Sequence, residues 1–168
     1  MKKSADRLLT ATYCDDIRQE SGNKLSLMGC YQGELIVAMA PVALPKLCVY
    51  ASAWTPKEHP FKSLTIRVVQ DDDVELARID LPEAGLAESA QIRDETATRK
   101  AVSTAIAFAP FVIEKSTSLR LVANTEDGEI IGPRLRIRVA PGQTFAAAPF
   151  SESPTRQAPT APKRSRRR

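Results

Sequence analysis

The stretch SLTIRVVQDDDVELARI, residues 63–79, carries the pattern that decides the fold. Leu64, Ile66 and Val68 fall on every second position, the period that places side chains on one face of a β-strand. The acidic run 71–73 separates them from a second segment of the same character, so the stretch predicts two strands joined by a tight turn. Strands buried on one face only are typical of a sandwich.

The rest of the body repeats this composition of short apolar segments bounded by Gly, Pro or acidic residues. Nine segments are predicted as strands: 8–14, 24–31, 34–38, 46–54, 63–70, 73–79, 101–108, 118–124 and 133–139. A second hairpin turn is indicated by Asp127-Gly128, because glycine tolerates the positive φ of tight turns. We predict a single all-β domain over residues 1–140, an antiparallel β-sandwich of seven to nine strands with an immunoglobulin-like or C2-like layout.

The segment 82–99, PEAGLAESAQIRDETATR, departs from the strand pattern. Its small and polar residues offer too little apolar surface for a packed amphipathic helix. We expect a crossover loop with one helical turn, the long link that a Greek-key sandwich uses between two groups of strands.

The net charge of +4 is unevenly distributed. Residues 141–168 contain six basic residues and one acid, whereas the other 140 residues contain 18 basic and 19 acidic groups. The body is therefore nearly neutral, and the high pI belongs to the C-terminus. Five prolines and no strand or helix pattern predict a disordered, Pro-rich, basic tail over 141–168.

The tail ends in KRSRRR, the strongest cluster of charge in the chain. Such a cluster contacts nucleic-acid phosphates without base specificity, or it only keeps the chain soluble; the sequence leaves both open. The candidate nucleic-acid contacts are Lys163, Arg164, Arg166, Arg167 and Arg168.

The stretch YCDDIRQESGNKLSLMGCY, Tyr13 to Tyr31, concentrates reactive residue types. Folding 8–14 back on 24–31 predicts Cys14 opposite Cys30 and Tyr13 opposite Tyr31. A capped helical turn beginning near Asp16 would join the two strands. A structured hairpin explains the stretch better than a site does.

Metal binding is the alternative to this interpretation. The three cysteines lack the paired short spacing of zinc ligands, and a disulfide would need an oxidising compartment. Calcium takes six to eight oxygen ligands, which acidic loops supply if they converge at one end of a sandwich. The weak calcium candidates are Asp15, Asp16, Asp71, Asp72 and Asp73. Because solvated acidic turns explain the same residues, no metal or cofactor is expected.

The residues give little support for catalysis. Nucleophilic mechanisms of the Ser-His-Asp or Cys-His kind depend on His59, the one histidine, which lies beside Pro60 in a predicted exposed turn. The chain has no glycine-rich phosphate-binding motif. We expect a non-catalytic protein, and a small hydrolase is the alternative.

The hydropathy pattern predicts a cytosolic protein. No window reaches the 18 or more apolar residues of a membrane helix, and Asp6 and Arg7 interrupt any secretory signal. We expect a cytoplasmic protein that does not contact membranes, or a virion-associated protein if its source is a phage.

The motifs CDDIRQE and GNKLSLMGCY, followed by LPKLCVYASAWTP and PFKSLTIRV, resemble the signature of a family of small bacterial and phage-associated proteins of unknown function. The family pattern has the form C-D-D-I-R-x-E, a glycine-bearing turn, then K-L-S-L-x-G-x-Y. The resemblance covers Tyr13 to Val68 and extends loosely to Val139; Asn23 stands where a second glycine is expected. It implies an all-β domain and carries no catalytic residue.

These observations favour a non-catalytic binding or structural module that engages an unknown protein partner. The alternative is a nucleic-acid-associated protein that makes nonspecific phosphate contacts through its basic tail.

Overall fold

The computed structural model describes residues 6–82, 86 and 96–142, and this part of the chain is all-β. It contains twelve strands, three more than the nine predicted segments. In chain order they are β1 (Leu8–Cys14), β2 (Asp16–Glu20), β3 (Lys24–Met28), β4 (Glu34–Val37), β5 (Val42–Leu44), β6 (Leu47–Pro56), β7 (Leu64–Gln70), β8 (Val74–Leu81), β9 (Arg99–Phe108), β10 (Phe111–Ile113), β11 (Thr117–Thr125) and β12 (Gly128–Val139).

Eight strands form the two main sheets. A three-stranded sheet has the order β1-β6-β9, and a five-stranded sheet has the order β4-β12-β11-β7-β8. The other four strands form two-stranded ribbons, β2 with β3 and β5 with β10. The number of strands in the main sheets agrees with the predicted seven to nine.

The main sheets pack face to face with β1 against β11 and β12. A side chain at Gly132 of β12 would place its Cβ 2.9 Å from Leu9 Cδ2, so the glycine permits the close approach of the sheets. The Tyr13 hydroxyl crosses the same gap and donates to the carbonyl of Pro133 at 3.1 Å. One core of buried residues from both sheets fills the space between them. The predicted sandwich is confirmed.

The strand pattern that predicted the fold is confirmed in detail. Leu64, Ile66 and Val68 of β7 are buried with 2% exposure or less, and Thr65 and Arg67 are partly exposed. β7 and β8 form the predicted hairpin, as do β11 and β12. Regular alternation of apolar and polar residues therefore identified the strands that are buried on one face.

The hairpin predicted for residues 13–31 differs in two respects. Residues 16–20, predicted as a helical turn, form β2 and pair with β3. Cys14 lies opposite Cys48 of β6 rather than opposite Cys30, because β1 ends at Cys14 and belongs to the three-stranded sheet. The predicted pairing of 8–14 with 24–31 is wrong, since β1 pairs with β6 and β3 pairs with β2, although the Tyr31 N–H donates to the Tyr13 carbonyl at 2.8 Å.

Two further features depart from the prediction of a purely antiparallel sandwich. β4 pairs with β12 in parallel, and the three-residue strands β5 and β10 were not predicted. The direction of pairing depends on which sheet edge β4 reaches, and a four-residue apolar segment carries no signal for it.

The link from β8 to β9 connects an edge of the five-stranded sheet to an edge of the three-stranded sheet, as predicted for a crossover. Leu86 is buried in a helical turn, and its N–H donates to the Pro82 carbonyl at 3.1 Å. The remaining residues of the link, 83–85 and 87–95, lie outside the described part. The predicted tail also lies outside the described part from residue 143 onward. Just before it, the Ala140 N–H donates to the Val37 carbonyl.

Candidate interaction surface

On the outward side of the three-stranded sheet, four consecutive rungs each contribute one residue from β1, β6 and β9, and the pair Pro56–Arg99 follows the first of them on the same side. The neighbours of these residues along each strand point into the core, as Leu9, Ala53 and Val102 do. We call this surface the uncharged face. Its rungs are Leu8–Trp54–Ala101, Thr10–Ser52–Ser103, Thr12–Tyr50–Ala105 and Cys14–Cys48–Ala107.

None of the twelve residues of the uncharged face, all within the described chain, carries a charge, although 26% of the sequence is charged. Leu8 and Trp54 are 52% and 37% exposed at one end of the face. The β9 column of small residues is also largely exposed. An exposed sheet face without charge is unusual, because solvated faces normally alternate charged residues with core residues.

The hydroxyl groups near the centre of the uncharged face are bonded within it. Ser52 and Ser103 lie 2.7 Å apart between their Oγ atoms, and the Thr10 hydroxyl donates to the Ser52 carbonyl at 3.2 Å. Burying an already paired hydroxyl costs far less than burying an unpaired one. The rung of Thr10, Ser52 and Ser103 can therefore be covered by a partner at small cost.

The last rung is covered by the chain that leaves β1, so that Cys14 and Cys48 are 0% and 2% exposed and do not reach the surface. The Cys14 thiol donates to the Asp16 carbonyl at 3.5 Å, and the Cys48 thiol donates to the Asp15 carbonyl at 3.8 Å. Burial raises the pKa of Cys14 to about 11 and also raises the pKa of Cys48. Both thiols are protonated at neutral pH and are poor nucleophiles, so this pair does not favour thiol chemistry.

The outward side of the five-stranded sheet is built differently, and we call it the ion-paired face. Arg67 Nη2 lies 2.9 Å from Glu129 Oε2, and its Nη1 lies 3.5 Å from Glu75 Oε2. Arg120 and Arg134 both reach the carboxylate of Asp72, at 3.1 and 2.5 Å. These three arginines are matched by neighbouring anions, as on an ordinary solvated surface.

The first two calcium candidates are engaged by neighbouring side chains. Asp15 accepts a hydrogen bond from the Tyr31 hydroxyl, and its carboxylate lies against Gly29, where a Cβ would collide with it. Asp16 accepts hydrogen bonds from Lys46 at 2.8 Å and Arg18 at 3.0 Å, which hold the pKa of its carboxyl at about 2. Both aspartates hold the β2–β3 ribbon in place.

The other candidates form the β7–β8 turn. Asp71 accepts hydrogen bonds from the Thr117 hydroxyl at 2.8 Å and the Ser118 N–H at 2.9 Å, and Asp72 binds the arginines of the ion-paired face. Asp71 and Asp72 adopt positive φ values of 49° and 68°. Asp73 donates its N–H to the Gln70 carbonyl at 3.1 Å. Among the described residues, these five aspartates do not form a group with ligand atoms close enough for one ion.

One group of potential ligands does occur in the described chain: His59, Glu126 and Asp127, with ligand atoms within 4.8 Å of one another. A buried arginine occupies the same place. Arg7 Nη2 lies 2.5 Å from Glu126 Oε1, and Nη1 lies 3.0 Å from Asp127 Oδ2. The guanidinium supplies the positive charge that the two carboxylates require, so the cluster is explained as an ion pair without a metal.

Arg7 joins three parts of the chain. Its Nε donates to the Thr55 hydroxyl at 3.2 Å, and its guanidinium stacks over the Phe61 ring with 4.6 Å to the centroid. Burial of Glu126 would raise its pKa, but hydrogen bonds from Arg7 and from backbone N–H groups, including that of Ser63, outweigh it and bring the pKa to about 2. This cluster holds the start of β1 to the β11–β12 turn.

The sequence contains a signal for the uncharged face, but the face itself becomes visible only when the pairing register of the three strands is known. β6 and β9, LCVYASAWTP and RKAVSTAIAF, are nearly free of charge along their whole length, which is typical of strands covered on both sides. The buried Arg7 left no such signal, because an arginine directly before a strand is ordinarily solvated.

The nucleic-acid candidates Lys163, Arg164, Arg166, Arg167 and Arg168 lie outside the described residues. Within the described residues, no helix has the length and apolar character needed to cross a membrane.

Comparison with known proteins adds no relative. No protein-family model matches the chain, and no curated protein sequence matches it. The resemblance of Tyr13 to Val68 to a bacterial and phage-associated family stays a prediction.

Proposed function

We propose that this chain is a non-catalytic binding module that engages a protein partner through the uncharged face. The single observation that carries the proposal is that face: four rungs without charge, three of which reach the surface, with exposed Leu8 and Trp54 at one end. Aromatic residues are enriched and charged residues depleted at the centres of protein interfaces.

The order of strands supports an immunoglobulin-like layout for the module. In that layout one sheet contains strands A, B and E, and the other contains G, F, C and C′. Here β1-β6-β9 corresponds to the first set, and β12-β11-β7-β8 corresponds to the second. Modules of this kind recur on many cell-surface and structural proteins, so the layout is compatible with binding and names no partner.

The state of the polar groups supports a role without catalysis. The two buried thiols have raised pKa values. The carboxylates of Glu126 and Asp72 are held in ion pairs with Arg7 and Arg120. An active site typically contains a base or nucleophile whose pKa is shifted toward the working pH.

The test is affinity capture from a lysate of the source organism treated with nuclease, with the wild-type chain and two variants as bait. Ala105→Arg places a charge on the uncharged face, and Val74→Arg places the same charge at an exposed position of β8. We expect a protein retained by wild type and by the Val74 variant but lost with the Ala105 variant. Identical capture by all three, or no capture, contradicts the proposal.

The second candidate function, nonspecific nucleic-acid binding, is favoured by the KRSRRR sequence alone. Gel shift compares the wild-type chain with a chain in which the five candidate basic residues of the tail are replaced by Gln. Loss of binding, with a salt slope of at most about −5 in the wild type, supports this function. No shift by either chain rules it out.

A further inference from the structure

We propose that the partner of the uncharged face is a second copy of this chain, packed sheet against sheet around a two-fold axis parallel to the strands. The inference rests on the proposed function, since it names the occupant of the same surface.

The first argument is charge. A partner covering the uncharged face must bring no charge of its own, because an unpaired charge buried at an interface is strongly unfavourable. A second copy of the face meets this requirement along the three rungs that reach the surface. The ion-paired face does not, since Arg67, Arg120 and Arg134 would lose water there.

The second argument is the size of the side chains across the face. The β1 column is bulky, with Leu8, Thr10 and Thr12, whereas the β9 column holds Ala101, Ser103, Ala105 and Ala107. A two-fold axis parallel to the strands lays the β1 column of one copy over the β9 column of the other. Bulky side chains then meet small ones in both halves of the contact, as a self-complementary interface requires.

This geometry makes specific pairs. At the first rung Leu8 lies over Ala101 of the second copy, and Trp54 of the central strand meets the Trp54 of the second copy near the axis. At the third rung Thr12 lies over Ala105 of the second copy. Sheets that pack face to face in this way keep their strands within about 30° of alignment, which the twist of the sheet accommodates.

The area predicts the strength of the contact. The five residues of β1 from Leu8 to Thr12 and three strands across give a face of about 17 by 14 Å, or roughly 240 Å² in each copy. A standard stable interface buries about 800 Å² for each partner. The dimer is therefore weak and reversible, and it forms only at high protein concentration.

The experiment is sedimentation velocity on the full chain over about a hundredfold range of concentration. We expect the weight-average mass of the wild type to rise from monomer toward dimer. Ala105→Arg should raise the dissociation constant at least tenfold, and the control Val74→Arg should leave it unchanged. Circular dichroism verifies that each variant is folded.

A pair of size variants tests the geometry directly. Ala101→Leu fills the small column and should weaken the dimer. Adding Leu8→Ala should restore it, because the two positions meet across the axis, whereas within one chain they are separated by β6. No rescue in the double variant contradicts the two-fold arrangement.

Failure of the dimer is separable from failure of the binding module. A chain that stays monomeric throughout, yet captures a different protein in a manner lost with Ala105→Arg, overturns the dimer and leaves the module standing. If the chain neither dimerises nor captures another protein, both the dimer and the binding module are overturned. A dimer that responds equally to Ala105→Arg and Val74→Arg places the contact elsewhere and also overturns the inference.

Discussion

The two outer faces of the sandwich are made from strands of similar length, yet they treat charge in opposite ways. On the five-stranded sheet, Arg67, Arg120 and Arg134 each contact a carboxylate and remain partly exposed. On the three-stranded sheet, four rungs carry only hydroxyl, thiol, aliphatic and aromatic groups. Exposed ion pairs add little stability, but they make a face costly to desolvate.

The difference indicates that the two sheets have different roles at the surface of the domain. The ion-paired face keeps the domain soluble, and the uncharged face can be covered without stripping water from a charge. Among the buried residues of the described chain, the one charged side chain is Arg7, beside the first rung of the uncharged face. The following predictions test this contrast, from the largest expected effect to the smallest.

Removing a charge should cost far more at the buried arginine than on the ion-paired face. We expect Arg7→Met to lower the free energy of unfolding by about 3 kcal/mol, because Glu126 and Asp127 lose a buried partner. Arg67→Met, whose partners are solvated, should cost about 1 kcal/mol or less. Urea denaturation of both variants measures the difference, and equal losses contradict the contrast.

Acid should weaken the Arg7 cluster in a defined pH range. The folded state holds the pKa of Glu126 at about 2, below its ordinary 4.5, so this group stabilises the fold above pH 4.5. The full shift corresponds to about 3 kcal/mol, which solvent screening at the partly exposed Glu126 reduces to about 2 kcal/mol, and this contribution is lost as the pH falls from 4.5 toward 2. Asp16 titrates in the same range, so the quantity to measure is the difference in unfolding free energy between wild type and Glu126→Gln. A difference that stays constant with pH contradicts the prediction.

The closed end of the uncharged face should depend on a glycine. Gly29 adopts φ +65°, and a Cβ there collides with the Asp15 carboxylate, displacing it from Tyr31. Gly33 adopts φ +85° with nothing within 4 Å of its Cβ position, so Gly33→Ala measures the backbone strain alone. We expect Gly29→Ala to cost about 1 kcal/mol more than Gly33→Ala in thermal unfolding. Equal losses would mean that the Asp15 contact contributes nothing.

Salt should distinguish the two faces by a small margin. Asp72→Asn removes the anion shared by Arg120 and Arg134 and should cost about 0.5 kcal/mol at low ionic strength. The cost should vanish near 1 M salt, where screening is nearly complete. Thr12→Val, on the uncharged face, should show no dependence of its cost on salt. Chemical denaturation in urea at two salt concentrations measures both.

The parts of the fold that follow from local pattern were predictable. Alternation in β7 and in the second half of β12 identified which residues are buried, and the acidic turn at 71–73 and Asp127-Gly128 located the hairpins. These signals act within one strand or one turn, so no knowledge of partners was required.

The parts that depend on distant contacts were not predictable. Cys14 lies opposite Cys48 because β1 joins β6, and sequence spacing favoured the nearer Cys30. Asn23 takes the place expected for a glycine and adopts φ +58°, a conformation that asparagine tolerates. The uncharged face emerges only when three strands are aligned, since none of them alone shows which of its uncharged residues point outward.

The Arg7 cluster also determines when the domain can finish folding. Arg7 and Glu126 are 119 residues apart, and β1 packs on β12, the last strand. A chain emerging from the ribosome therefore carries its first strand without its final contacts until nearly the whole body has been synthesised. Contacts of such long separation slow folding. We therefore expect the domain to complete its folding after translation. Until then the edge of β1 is the segment most in need of protection from non-native pairing.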